Sequence, residues 1–282
     1  MCSSDLAFEV STNNGPWSVP DRYRKLNGVI RYTRGDVPAS QTDEAKAGDL
    51  AVYDTFQRVE DNAGVVVTAD TARFAFNRVT SEMSNCCGAN LDGSNVDMSG
   101  IVPLKFPMFT QAKTYPYFDT SLNKSTDAVY QGTEDVEGLP TYKFLVSVPP
   151  TQIGTIEVPG DLVGSTDPSY VAPRFYANEL TLWVEPNTGA IVKGTSKQLQ
   201  TLRGPDGTDR VTIIDAVISS DPAEVTDGVN FAKTQAGLLT LLNNTVPLIG
   251  LLLGLILLVI GIILVATSNK QKSGAHGAPA SA

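Results

Sequence analysis

One histidine occurs in the 282 residues, His276, and it lies beyond the longest apolar run of the chain. Upstream of it there is no imidazole for a Ser-His-Asp or Cys-His arrangement and none for a zinc site, so those enzyme classes are excluded. No glycine-rich phosphate loop occurs; GDLVGS at Gly160 to Ser165 lacks the P-loop lysine and the dinucleotide-binding spacing. Cysteine is almost absent, with Cys2, Cys86 and Cys87 alone, too few for a disulfide-built scaffold. We therefore assign no catalytic, cofactor-binding or metal-binding residue and expect no enzyme.

Charge is missing from one end. No acid follows Asp227, and no ionisable side chain lies between Lys233 and Lys270. Within that gap, Val246 to Thr267 (VPLIGLLLGLILLVIGIILVAT) is a run of 22 residues that, at about 1.5 Å per residue, makes a helix of about 33 Å, enough to cross a bilayer core. Lys270 and Lys272 follow it at once, placing the tail in the cytoplasm and the preceding chain on the other side. All 30 acids but only 19 of the 21 Lys and Arg precede the run, a net −11. Such a charge repels nucleic acid, which we exclude as a partner.

An ectodomain ahead of one carboxy-terminal anchor has to be exported, yet Met1-Cys2-Ser3-Ser4-Asp5-Leu6 has neither the charged start nor the apolar core of a signal. We expect residues 1–6 to be an artefactual start, translated from a sequencing-adapter end, with the natural amino terminus lying upstream. The expected partition is then an extracytoplasmic β-rich domain over 7–229, a juxtamembrane stalk helix over 230–245, a transmembrane helix over 246–267 and a cytoplasmic tail over 268–282.

The ectodomain reads as strands and turns. Thr141 to Val148 places Tyr142, Phe144, Val146 and Val148 on one face, and Leu180 to Glu185 does the same for Leu180, Leu182 and Val184. Pro186, Asn187 and Gly189 then separate LTLWVE from AIVKG as a hairpin loop. Leu50 to Val59, Val65 to Thr68, Arg73 to Arg78 and Arg210 to Val217 are further strand candidates. The fold class is mainly β, an antiparallel sheet, sandwich or barrel-like ectodomain, followed by the transmembrane α-helix. Between them Phe231, Thr234, Leu238, Leu241 and Leu242 recur at helical spacing, the basis for the stalk.

Four groups of residues are candidates for a role. Cys86 and Cys87 read as a structural vicinal disulfide, or two thiols, tightening a turn before Gly88, in preference to a redox-active or ligand-gripping pair. Gly250, Gly254 and Gly261 share one helix face and offer a close approach to another helix, set against ordinary glycine usage in membrane helices. Tyr115, Tyr117 and Phe118, in the most aromatic stretch, pack the core in preference to lining an apolar ligand site or lying on the outer leaflet, and the neighbouring prolines argue against a central strand. Glu134, Asp135 and Glu137 in GTEDVEG form a solvated turn in preference to a carboxylate pair or a calcium site.

The order NRVT at Asn77 to Thr80, CCG at Cys86 to Gly88, LKFPMFTQAKTYPYFD at Leu104 to Asp119, YQGTEDVEGLPTYKF at Tyr130 to Phe144 and RFYANELTLWVEPNTGAIVKG at Arg174 to Gly194 resembles the actinobacterial PorA-like family. The resemblance implies an envelope protein with an amino-terminal membrane helix, a large extracytoplasmic domain and a carboxy-terminal helix. This chain lacks the first helix, so the resemblance implies two passes in the full-length protein where the sequence shows one. It leaves the glycine face to pack on that missing helix or on a second copy. Our leading reading is a non-enzymatic protein of the actinobacterial cell membrane that binds or transfers an apolar or envelope ligand, such as a lipid, or assists envelope assembly. A porin-like pore and a structural or adhesive role are the alternatives. The uniformly apolar span argues against a pore, and no stable conductance is expected.

Overall fold

The computed structural model of the chain describes residues 2–4, 26–61, 66–241 and 246–272. The chain divides into two compact units, Met1–Lys233 and Thr234–Ala282.

The first unit carries two antiparallel sheets of six strands. One runs β1 (Cys2–Ser4), β2 (Leu26–Gly35), β3 (Leu50–Asp61), β4 (Val66–Asn77) and the short β5 (Met83–Ser84), with β6 (Asn90–Leu91) also paired to β4. The other is built from β7 (Tyr115–Asp119), β8 (Lys124–Val136), β9 (Leu139–Pro159), β10 (Ser169–Val184), β11 (Ile191–Arg203) and β12 (Asp209–Ser219), each paired with its neighbour in sequence. The fold is thus mainly β and antiparallel, as the alternating patterns predict.

Period-two alternation explains how the second sheet is covered on both faces. Leu182 and Val184 point into a core with Phe106, Tyr115, Tyr117, Phe144 and Val146. Between them Trp183 faces the opposite way, onto helix α2 (Pro222–Thr240), where Val225, Val229 and Ala232 pack with Val136, Leu139 and Val192. Phe106 and Phe144 are fully buried with ring centroids 4.5 Å apart. Burial of each such ring stabilises the fold by about 2–3 kcal/mol. The first sheet also has two apolar faces: Phe74 and Phe76 pack with Met98, Val102 and Phe118, whereas Val52 and Ala75 pack on the short helix α1 (Asp43–Ala47) and Cys86. Phe118 comes from β7 of the other sheet, so its ring fastens one sheet to the other. Ile101 adds a backbone link, bridging antiparallel to Glu82 and parallel to Tyr117.

Several expectations need adjustment. Val66 to Thr68 and Arg73 to Asn77 are parts of one strand, β4, because Ala69 to Ala72 between them pair with Thr55 to Arg58 of β3 despite their small or polar side chains, while Val65 lies outside the described residues. Strands β9 and β10 run beyond the expected segments, through Pro149 and Pro150 in one case and Pro173 in the other, with register shifts nearby. Within GTEDVEG only Glu137 and Gly138 turn, both at positive φ, which suits a two-residue hairpin; Glu134 and Asp135 belong to β8. Strand β7 does accept Pro116, and it does so as an edge strand of its sheet.

Helix α2 begins at Pro222, eight residues before the expected stalk. Its packed face is Val225, Val229 and Ala232, while Phe231, Leu238 and Leu241 of the sequence pattern are exposed. Residues 242–245 of the stalk, with Leu242, lie outside the described residues.

In the second unit, α3 (Val246–Lys272) extends five residues past the predicted end at Thr267. Pro247 sits in its first turn, where its missing N–H costs nothing. Residues 1 and 5–25, which include half of the expected artefactual start 1–6, and residues 273–282 of the tail lie outside the described residues, whereas Cys2–Ser4 of that start form β1.

Candidate functional site

Pro247–Leu264 within α3 is long and apolar enough to cross a membrane, and every described side chain along it is exposed. Gly250, Gly254 and Gly261 lie on one side, and a Cβ added at any of them would meet open space within the chain. The remaining faces are Leu, Ile and Val with no polar stripe. Such a helix satisfies its own backbone and presents hydrocarbon all round, so it suits lipid and neighbouring helices but cannot alone line water.

The aromatic candidates are brought together by β7. Tyr115 and Tyr117 point into the core around Phe106, with ring centroids 5.6 and 6.2 Å from it, and Phe118 points to the other side. All three are buried. The Tyr115 hydroxyl accepts from the Gln111 backbone N–H at 2.8 Å, and the Tyr117 hydroxyl donates to the Pro103 carbonyl at 3.4 Å. Burial, ahead of the opposing field of Arg31 and the reinforcing one of Asp119, pushes the Tyr117 phenol up to about 12.

Cys86 and Cys87 are joined by a disulfide in the turn that leads into Gly88. Cys87 and Gly88 both have positive φ, 59° and 77°. Cys86 is buried against Ala45, Leu50, Val52 and Ala75, with Cys87 half-buried beside it.

The acids of GTEDVEG do not converge on a common point. Glu134 pairs with Lys143 at 2.9 Å, and this contact holds its carboxyl below the usual range. Asp135 accepts the Gly138 N–H at 2.7 Å to close the turn. Glu137 receives the Thr226 hydroxyl at 3.0 Å, while its carbonyl receives Lys233 Nζ at 2.8 Å, so this hairpin clamps α2. Each acid has a structural partner.

Two features were not visible as patterns. Glu185 is 2 % exposed, and its carboxylate accepts from Asn187 N, Asn187 Nδ2, Thr188 N and Thr188 Oγ1 at 2.6–2.9 Å, making a rigid β10–β11 loop. Onto it dock Phe106, Phe109 and Thr110, whose backbone N–H groups donate to Gly189, Asn187 and Pro186. Spacing marked the loop, but no sequence signal marked the buried acid. On β3 and β4, Arg73 bridges Asp54 and Asp36, each at 2.7 Å, beside the exposed stacked pair Tyr32 and Phe56.

The geometry defines a class: an antiparallel β-rich unit followed by an apolar helix of membrane-spanning length, with no cluster of catalytic type among the described residues. The chain belongs to the Porin PorA family, whose model matches residues 18–263. It is similar to "Porin PorA" of Corynebacterium resistens, 24% identical over 239 residues that cover 62% of this chain and 58% of that one. It is also similar to "Porin PorA" of Corynebacterium amycolatum, 25% identical over 122 residues covering 34% of this chain and 32% of that one. The chain therefore spans less than two thirds of the length of the curated relatives it matches.

Proposed function

We propose that the chain is a non-enzymatic, porin-like protein of the cell envelope, held in the membrane by α3. The observation that carries this reading is the extent of the family match, which runs from residue 18 to residue 263 and so takes in both the β-rich unit and most of the apolar helix. The relatives are named as porins, which favours the pore over the ligand carrier that the sequence alone puts first. In this reading the β-rich unit lies outside the membrane and the residues after Thr267 face the cytoplasm, beside Lys270 and Lys272.

Because α3 has no polar stripe, it serves as anchor and assembly element, the polar lining within the bilayer has to come from other segments of the full-length protein, and the assembled β-rich units outside the membrane form the mouth of the path. The acidic balance of those units, 30 acids against 19 bases before the span, biases such a path toward cations. Full-length protein reconstituted in planar bilayers should give discrete conductance steps that prefer cations. A second reading rests on that same apolar helix: a tethered unit that carries an apolar envelope ligand. Absence of steps, together with a stoichiometric lipid identified by mass spectrometry of the detergent-extracted protein, would replace the first reading with the second. Protease added to spheroplasts checks orientation; it should remove the β-rich unit and spare a tag at Ala282.

A further inference from the structure

We propose that Glu44, Cys86 and Cys87 form a redox-gated site for a thiophilic divalent cation, closed while the two sulfurs are bonded and open once they are reduced. The carboxylate of Glu44 and the two Sγ atoms lie within 4.8 Å of one another. For tetrahedral zinc with bonds of about 2.3 Å to sulfur and about 2.1 Å to oxygen, ligand atoms sit roughly 3.6–3.8 Å apart. The three groups are therefore already gathered at nearly the spacing an ion needs. Reduction has to part the sulfurs by roughly 1.7 Å. Rotation of the half-buried Cys87 side chain supplies that movement while Cys86 stays fixed against Ala45, Leu50, Val52 and Ala75.

The two sides of the site are anchored independently, as a preorganised ligand set requires. Glu44 occupies the first turn of α1, whose Thr42 side chain accepts the Ala45 N–H at 3.3 Å, and Ser40 ties the preceding turn to β3 by accepting the Val52 N–H at 2.9 Å. On the other side the Ala89 N–H donates to the Cys86 carbonyl at 2.9 Å and closes the cysteine turn. The side chain of Arg73 lies beside Gly88 and is neutralised by Asp36 and Asp54. Glu44 is exposed, so an ion has an entry path and water can fill the fourth position.

The chemistry balances with a dithiol as reductant. The Cys86–Cys87 bond takes two electrons and two protons from the dithiol, which becomes a disulfide. The cation then replaces the two thiol protons, which pass to solvent, and the Glu44 carboxylate adds as the third protein ligand.

The test uses the full chain in detergent, reduced with a phosphine that is then removed, and titrated anaerobically with Cd²⁺ and, in competition, Zn²⁺. One Cd²⁺ per chain should bind with the ultraviolet charge-transfer band of two thiolates, and the unreduced protein should give none. Glu44→Gln should keep the band but bind about tenfold more weakly or worse, a loss of 1.4 kcal/mol for each factor of ten. Circular dichroism identical to the parent confirms that this exposed variant folds. A reduced protein that binds no better than the unreduced one overturns the site, with or without a foldable Cys86→Ser/Cys87→Ser variant. Unchanged affinity in Glu44→Gln overturns the assignment of the carboxylate.

Discussion

Tyr176 donates its phenolic hydrogen to Asp119 across 3.0 Å, both side chains being buried, and so ties the middle of β10 to the end of β7. The other Asp119 oxygen accepts the backbone N–H groups of Ser121 and Leu122 at 2.8 and 3.0 Å, so one carboxylate fixes a strand end, the following turn and a strand three places across the sheet. Tyr176→Phe should leave a buried carboxylate oxygen without its donor, a cost of about 1–3 kcal/mol. At about 2–4 °C per kcal/mol for a unit of this size, thermal unfolding should shift down by several degrees with the strand signal unchanged at low temperature. A variant as stable as the parent would mean that water replaces the hydroxyl.

Burial also makes the fold sensitive to alkali. Tyr117 is pushed up to about 12, mainly by desolvation, and Tyr176 is raised by desolvation and then by Asp119. In the unfolded chain both phenols ionise near about 10. Below that pH both states hold the proton and the contribution is intact; from about 10 upward the unfolded state releases it first. Stability is then lost as pH rises toward about 12, with a slope of about 1.4 kcal/mol per pH unit for each group. Denaturant melts at pH 9, 10 and 11 should show a shallower decline for Tyr117→Phe than for the parent.

Two glycines with nearly equal backbone angles should respond differently to alanine. Gly189 has φ +74°, and a Cβ there would stand 2.1 Å from the Phe106 carbonyl oxygen; Gly207 has φ +75° and open space around it. Gly207→Ala should cost about 1–2 kcal/mol, the strain of the left-handed conformation alone. Gly189→Ala should cost about 3 kcal/mol or more, since it also displaces the docked 104–110 segment. Equal costs in thermal melts would show that this segment is not held against the loop.

The parts legible in the sequence are those set by local periodicity. Phe144, Val146, Leu182 and Val184 alternate cleanly because one face meets the aromatic core, and α3 is apolar from Pro247 to Leu264, where every described side chain is exposed. Strand β8, next to the edge strand β7, was hidden because most of Lys124–Val136 is polar and only Ala128 and Val136 are buried; pairing with β9 makes it a strand, which the local pattern does not show. Helix α2 was misplaced for a related reason. Its packed residues are Val225, Val229 and Ala232, whereas the larger Phe231, Leu238 and Leu241 that dominate the pattern face outward. Adjacency made Cys86 and Cys87 a candidate pair without settling whether they are bonded, whereas the approach of Glu44 from more than 40 positions away required the fold.

The final prediction concerns how the apolar helix assembles. Gly250, Gly254 and Gly261 share one face of α3 with open space at each, whereas Leu252 lies about 200° round the helix from Gly250. Close helix approach needs the missing side chains, because backbones can then come near enough for dispersion and weak hydrogen bonds to replace lipid contacts. Gly254→Leu should therefore weaken crosslinked oligomers in membranes and remove conductance steps, while Leu252→Ile, which preserves hydrophobicity on the far face, should leave both unchanged. Both variants remain apolar, so insertion should be equal, and alkaline carbonate extraction checks this. If Gly254→Leu assembles and conducts like the parent, the glycine face is not the contact surface, and assembly has to be sought in the β-rich unit.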